Sequence, residues 1–286
     1  MLSSSSSDTD LLTPGQPVTM PLWTCFQCGA QFADTPAPPD ACKICDEERQ
    51  FVNWSGQRFL SRGELAERHQ VVWRDDGGVL GLGLDPSFAI GQRALLIPER
   101  DGCVMWDCIP LATDAAVAHV RALGGLKAIA VSHPHFYGAV ADWSEAFGGA
   151  PVYLHGDDRA FVTRPHPAIV PWSGDRLAIS DDIMLLRTGG HFPGAAMLHW
   201  RKGAEGRGAL FTGDIAMVAM DRRHVSFMYS YPNYIPLGPA AVRRIAAAVA
   251  PLAFDRIYGA WWQKNIADDA KAAFDRSVQR YLQAIA

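Results

Sequence analysis

Ser132-His133-Pro134-His135-Phe136-Tyr137-Gly138 decides how this chain is read. It follows an apolar run, Lys127-Ala128-Ile129-Ala130-Val131, which reads as a strand. It precedes Ala139-Val140-Ala141-Asp142-Trp143, which opens a helical pattern. Two histidines two residues apart at a strand end can reach one metal ion, because the loop frees them from strict strand alternation.

Working outward, the pattern is α/β from about Val71. Val79–Leu84, Ala94–Ile97 and Cys103–Trp106 read as strands broken by turn residues, and Thr113–Leu123 has helical periodicity with Gly124-Gly125 as its stop. Strands follow at 127–131, Pro151–His155, Asp175–Ile179, Ile183–Arg187, Met197–Trp200, Ala209–Thr212 and Phe254–Tyr258. Helices are expected at 139–147, briefly from Asp157, at Pro239–Val249 and over Ile266–Ile285. An early meander that gives way to alternating strands and helices predicts two sheets face to face with helices outside, a four-layer αββα sandwich over residues 70–286. Residues 1–20 are rich in Ser, Thr, Pro and Gly and read as a disordered tail. Residues 51–69 read as a linking and packing segment, with capping-box spacing at Ser61-Arg62-Gly63-Glu64.

Composition narrows the function classes. The 286 residues carry 20% charged and 49% hydrophobic side chains, as in an ordinary soluble globular protein. A net charge of -4 with no polybasic run gives no reason to expect nucleic acid. No apolar stretch approaches the ~18 residues of a membrane span. The serine-rich start lacks a basic region followed by an apolar one, so it does not read as a secretory signal, and a cytoplasmic location is inferred.

Four of the six cysteines fall between Cys25 and Cys45. Cys25-Phe26-Gln27-Cys28-Gly29 and Cys42-Lys43-Ile44-Cys45 are two Cys-x-x-Cys knuckles separated by 13 residues, the pattern of a tetrahedral four-thiolate site. Gly29 suits the tight turn below the metal. The intervening segment, with Pro36, Pro38 and Pro39, has almost no core-forming residues, so metal binding is expected to supply the folding energy of a module at residues 21–50. The module resembles zinc-ribbon and short rubredoxin-like knuckles; zinc is the structural reading and iron the electron-transfer one. Cys103 and Cys108 stand apart and read as buried core residues.

Two further groups occupy strand-to-loop exits, where α/β folds collect functional residues. His191 lies in Thr188-Gly189-Gly190-His191-Phe192-Pro193-Gly194, and Asp214 ends Phe211-Thr212-Gly213-Asp214. The order His-x-His, Gly-Gly-His-x-x-Gly, Thr-Gly-Asp resembles the metallo-β-lactamase-fold hydrolases, including the glyoxalase II-like branch, over roughly residues 70–286. The resemblance implies a metallo-β-lactamase-like sandwich behind the zinc-ribbon-like module, with His133, His135 and His191 holding one metal and Asp214 binding beside it. The family's second metal site needs Asp and His where this chain has Tyr137 and Gly138, and a late histidine where it has Ala260-Trp261-Trp262. Three imidazoles and one carboxylate remain, a shell for one zinc or iron with an open position.

The expected function is therefore single-metal hydrolysis of a small ester- or thioester-like molecule. Asp214 would ligate or orient water and receive its proton, and the Tyr137 phenol would donate to a developing oxyanion. His155 and His224 are candidate neighbours of the site, although a helix start accounts more readily for the first and an exposed loop for the second. The aromatic segment Phe227–Tyr234, with Trp261 and Trp262, is a candidate apolar wall over the metal. One alternative is a mononuclear non-haem iron oxygenase similar to persulfide dioxygenases. Another is a non-catalytic scaffold whose cysteine module engages a protein partner.

Overall fold

The computed structural model describes residues 21–286. The tail expected at residues 1–20 lies outside the described residues. Strands β1 (Leu22–Cys25), β2 (Gln31–Asp34) and β3 (Phe59–Ser61) form a small sheet in the order β2-β1-β3. β3 lies in the segment expected to be a linker. It covers the second edge of β1, with Trp23 opposite Ser61 and Cys25 opposite Phe59, so the cysteine unit extends past residue 50. Helix α1 (Arg62–Arg68) starts on the expected capping box: the Glu64 N–H donates to Ser61 Oγ at 3.2 Å, and the Ser61 N–H donates back to the Glu64 carboxylate at 2.8 Å.

A seven-stranded sheet follows, built from β4 (Gln70–Asp75), β5 (Leu80–Asp85), β6 (Ala94–Glu99), β7 (Gly102–Trp106), β8 (Leu126–Ala130), β9 (Val152–His155) and β10 (Ile169–Trp172) in sequential order. It is an antiparallel meander as far as β7. It turns parallel where α2 (Asp114–Ala122) and α3 (Val140–Ala146) provide crossovers. The second sheet has six strands. β11 (Arg176–Ala178), β12 (Ile183–Arg187), β13 (Ala196–Trp200) and β14 (Ala209–Gly213) come first. Two ribbons then intervene, β15 (Met217–Val218) with β16 (Val225–Ser226) and β17 (Met228–Ser230) with β18 (Ile235–Pro236), followed by α4 (Pro239–Val249). β19 (Arg256–Gly259) and β20 (Asn265–Ile266) complete the sheet, and α5 (Ala270–Ala284) closes the chain. That last helix was expected from Ile266, but Ile266 pairs with Ile257 in the sheet and the helix begins only after Asp269 takes a φ of 52°.

Side-chain alternation makes the layers. In β6, Leu95 and Ile97 point between the sheets while Ala94 and Leu96 point outward. Leu95, Ile97, Val104, Trp106, Ala128 and Ala130 thus meet Ile183, Leu185, Ala196, Leu198 and Phe211 in the inter-sheet core. The outer face of the first sheet buries Val117 and Val120 of α2 and Trp143 of α3. The outer face of the second buries Val242, Ile245 and Val249 of α4 and Phe274 of α5. The result is a four-layer αββα sandwich. β7, β8, β12 and β14 deliver Asp107, His133 with His135, His191 and Asp214 just beyond their C-terminal ends.

Candidate metal centres

The four-cysteine cluster is closed. Cys25, Cys28, Cys42 and Cys45 are buried, and their sulfurs all lie within 4.8 Å of one another. Two Sγ–Sγ pairs, Cys25 with Cys45 and Cys28 with Cys42, are 3.7 Å apart. A tetrahedron with metal–sulfur bonds of about 2.3 Å has edges of about 3.8 Å, so the spacing fits a four-thiolate ion. Each knuckle turns on backbone hydrogen bonds: the Gly29 N–H donates to Cys25 O at 2.9 Å and the Cys45 N–H to Cys42 O at 2.9 Å. Gly29 has a φ of 78°, the turn expected of it. Hydrogen bonds from Cys28, Cys42 and Cys45 pull the Cys25 thiol far below its ordinary pKa, while the contact with Cys25 pushes Cys28 and Cys45 up. Four thiols this close cannot all ionise without a cation between them.

The second cluster joins His133, His135, His191 and Asp214, whose donor atoms also lie within 4.8 Å of one another. All four residues are between 1% and 4% exposed, so the centre is shielded from bulk solvent. The loop after β8 makes a single turn of 3-10 helix at Pro134–Phe136, which brings His135 round beside His133. His191 Nδ1 donates to Met228 O at 3.2 Å, which leaves Nε2 a lone pair 3.3 Å from His135 Nδ1. His133 Nδ1 faces Ser132 Oγ at 3.0 Å, and the Ser132 N–H donates to Asp107 at 2.8 Å. This leaves His133 Nε2 pointing at Asp214 Oδ1 across 3.2 Å.

Burial, reinforced by its histidine neighbours, holds His133 and His135 well below the usual imidazole pKa, and burial takes His191 to about 4. All three are therefore neutral at pH 7, and the His133–Asp214 contact is not an ion pair. Burial lifts Asp214 to about 7, and Asp107 also to about 7 against opposing hydrogen bonds from Ser132. His133 Nε2, His135 Nε2 and Asp214 Oδ1 are buried without a hydrogen-bond partner. Two facing acceptors, neutral rings and a carboxylate costly to ionise fit a cation between them.

The family's second site is built over. Gly138 has a φ of 48°, and a Cβ there would lie 2.7 Å from Ile109 O and 2.9 Å from Cys108 O, so no histidine fits. The cysteine module docks on this same turn. The Gln31 N–H donates to Gly138 O at 3.2 Å, and Gln31 Nε2 donates to Asp142 at 2.8 Å. Near the first site, Arg49 of the module packs its guanidinium 4.3 Å from the Phe192 ring centroid and 5.0 Å from that of Tyr229.

Several residues expected at the site lie elsewhere. The Tyr137 hydroxyl donates to the Asp158 backbone carbonyl at 3.3 Å within the outer core, so it is not aimed at an oxyanion. His155 caps the 3-10 turn at Gly156–Phe161, accepting from the Asp157 N–H at 3.2 Å. His224 pairs with Asp221 at 2.7 Å on the turn between β15 and β16. Trp262 fills the space over Gly81 and Gly83, where a Cβ would lie 2.6 Å and 2.9 Å from its ring. Trp261 donates to Ile90 O at 2.7 Å and is separated from His133 by Phe136. Of the expected wall, the 228–231 part does reach the site: Tyr231 donates to Asp214 O at 2.6 Å and Met228 orients His191. Asp107, Ser132 and Arg49 were not singled out from sequence, although an acid directly after strand β7 repeats the pattern that marked Asp214.

No protein-family model matches the chain. It is 44% identical over 269 residues to "Uncharacterized protein YmaE" of Bacillus subtilis (strain 168), covering 93% of this chain and 97% of that protein. Among solved structures, DIM-1 metallo-β-lactamase, from a crystal exposed to ceftazidime, superposes with a TM-score of 0.53 over 77% of this chain and 98% of its own, at 13% identity. TMB-1 gives a TM-score of 0.53 over 76% of this chain and 98% of its own, also at 13% identity. With that much of each lactamase chain matched on the same αββα layers, and with identity to YmaE along nearly the whole length, the chain belongs to the YmaE family and has the metallo-β-lactamase fold behind an N-terminal four-cysteine module.

Proposed function

We propose that the protein is a single-metal hydrolase of a small ester- or thioester-like substrate. The observation that carries this reading is the inward-facing set of His133 Nε2, Asp214 Oδ1 and their two histidine neighbours, within 4.8 Å and without hydrogen-bond partners for the facing pair. His133, His135, His191 and Asp214 would hold the ion, which when bound supplies Lewis acidity that polarises a carbonyl and acidifies water at neutral pH.

The chain's own residues do the rest. Asp107 fixes Ser132, and Ser132 fixes the His133 ring with Nε2 inward. Met228 O does the same for His191. The Asp214 carboxylate turns Oδ1 to His133 and Oδ2 to His191, at 3.2 and 3.9 Å, and is the one acid in the cluster placed to accept a proton from an attacking water. Phe136 and Phe192 pack on the histidine rings and shield them from bulk solvent. The ester or thioester class rests on the likeness of the Gly-Gly-His-x-x-Gly loop to the glyoxalase II-like branch. Screening zinc-loaded protein against aryl esters and thioesters tests the reading. Turnover lost in His133→Ala supports it, and turnover equal in wild type and His133→Ala overturns it.

A second reading, a one-iron oxygenase, draws on one observation. Phe161 packs against the cysteine cluster and also meets Phe192, ring centroids 5.2 Å apart, which in turn contacts His135 and His191. Iron at both clusters together with oxygen uptake would favour it over hydrolysis.

A further inference from the structure

The strongest unexplained feature outside the two clusters is Arg49. Its side chain is 13% exposed, and its Nε and Nη1 are buried with no hydrogen-bond partner among the described residues. Its Nη2 pairs with Glu47 at 3.0 Å. Those two donors are closed off from the cavity, so what Arg49 offers there is a mostly buried positive charge balanced at close range by Glu47. Arg49 borders a cavity of about 570 Å³ that runs along Thr188, Gly189 and Gly190, the residues leading into His191. Arg176, Arg187 and Arg244 line the same cavity against a single carboxylate, Asp175. Arg187 is held by Asp157 at 2.6 Å, whereas Arg176 and Arg244 have no ion-pair partner among the described residues.

The placement ties this cavity to the metal centre. Phe192 lies under the Arg49 guanidinium at 4.3 Å, and its ring is 5.0 Å from His135 and 5.3 Å from His191. The segment bearing Arg49 is pinned over the site: Asn233 Nδ2 donates to Glu48 O at 2.8 Å and to Gln50 O at 3.2 Å, and the Tyr229 hydroxyl bonds Glu48. We propose that this cavity takes an anionic group of the substrate, a carboxylate or a phosphate, and that Arg49, delivered by the four-cysteine module, is the residue that selects it. The positive charge of Arg49 at the cavity wall attracts either oxyanion, and Arg244 and Arg176, with no ion-pair partner among the described residues, add to that attraction. The module then has a role at the site besides its own metal: it supplies the specificity-determining cation. The inference rests on the hydrolase reading for the word substrate, but the anion site itself does not.

The test is calorimetric titration with succinate and, separately, with inorganic phosphate. The proteins are wild type, Arg49→Met, Arg244→Met, Arg201→Met and His133→Ala, all with the cysteine site loaded. Methionine keeps the packing of the Arg49 stem on Phe192 and Tyr229, while Arg201 lies on the surface beside Asp182 and serves as control. Wild type is expected to bind at least one anion, and the tighter of the two names the substrate's anionic group. Arg49→Met is expected to weaken binding by about tenfold or more, and Arg244→Met by severalfold, with Arg201→Met unchanged. His133→Ala is expected to bind as wild type does, even if all esterase activity is gone, which separates this inference from the hydrolase reading. If Arg49→Met does not fold, undiminished binding by Arg244→Met overturns the proposal. It is equally overturned by no binding in wild type, by unchanged binding in a folded Arg49→Met, or by loss of binding in His133→Ala.

Discussion

Replacing Asp214 by asparagine should stabilise the protein when the histidine site is stripped of metal, and should abolish the stabilisation that metal gives. Asp214 is fully buried, and burial raises its pKa from 3.8 to about 7. An acid whose folded pKa lies above its unfolded value binds more protons when folded, so it costs stability as pH rises through that interval. At pH 8 the difference of about three pKa units amounts to about 4 kcal/mol. At pH 5 only the interval from 3.8 upward counts, and the cost falls to about 1.5 kcal/mol. An amide also donates to His133 Nε2 across the present 3.2 Å contact, adding about 1 kcal/mol. For a chain of this size a change of 1 kcal/mol moves Tm by about 2–4 °C, so even half of the pKa contribution alone raises Tm by ~4–8 °C at pH 8. The assay is differential scanning calorimetry of wild type and Asp214→Asn at pH 5 and 8. Samples are stripped with a mild chelator that leaves the thiolate site loaded, then measured again with zinc added. A variant less stable than wild type at pH 8, or one that gains as much from zinc, would refute this electrostatic picture of the site.

Other perturbations test separate parts of the structure. Gly138→His, which restores the family's residue type, should not create a further metal site; the clash with Ile109 O and the positive φ should instead destabilise the chain by about 1–3 kcal/mol or more, read by urea unfolding. Ser132→Ala should lower zinc affinity at the histidine site by roughly 10–100-fold in competition with a chromophoric chelator, because the Asp107–Ser132–His133 relay fixes the ring. Cys25→Ser should free the module and raise proteolytic cleavage between residues 21 and 61, since the module's fold rests on a cluster of four sulfurs. Leu185→Ala, at a fully buried inter-sheet position, should cost about 2–5 kcal/mol by the same unfolding assay.

The layers were legible because their signals are local. Alternation in Ala94–Ile97 and helical spacing in Thr113–Leu123 report directly which face is buried, and the capping box at Ser61 is complete within four residues. The metal ligands were legible because each sits at the end of a strong strand. What the sequence hid depends on distant partners. β3 exists only because β1 has an edge to fill, and Ile266 joins a strand rather than a helix because Ile257 lies opposite it. Trp261 and Trp262 stand where the resemblance puts the last ligand, yet Gly81 and Gly83, about 180 residues upstream, claim the Trp262 indole. Tyr137 is bound away by Asp158 for the same kind of reason. Arg49 gave no signal at all, because a lone arginine in a loop acquires meaning only when the module folds back onto Phe192 and Tyr229.

Metal content by mass spectrometry, measured on purified wild type, His133→Ala and Cys25→Ser, reaches the central claim most directly. Two ions per chain in wild type and one in each variant is the expected result, one for each cluster. A single ion in wild type that survives His133→Ala would contradict a metal centre at His133, His135, His191 and Asp214.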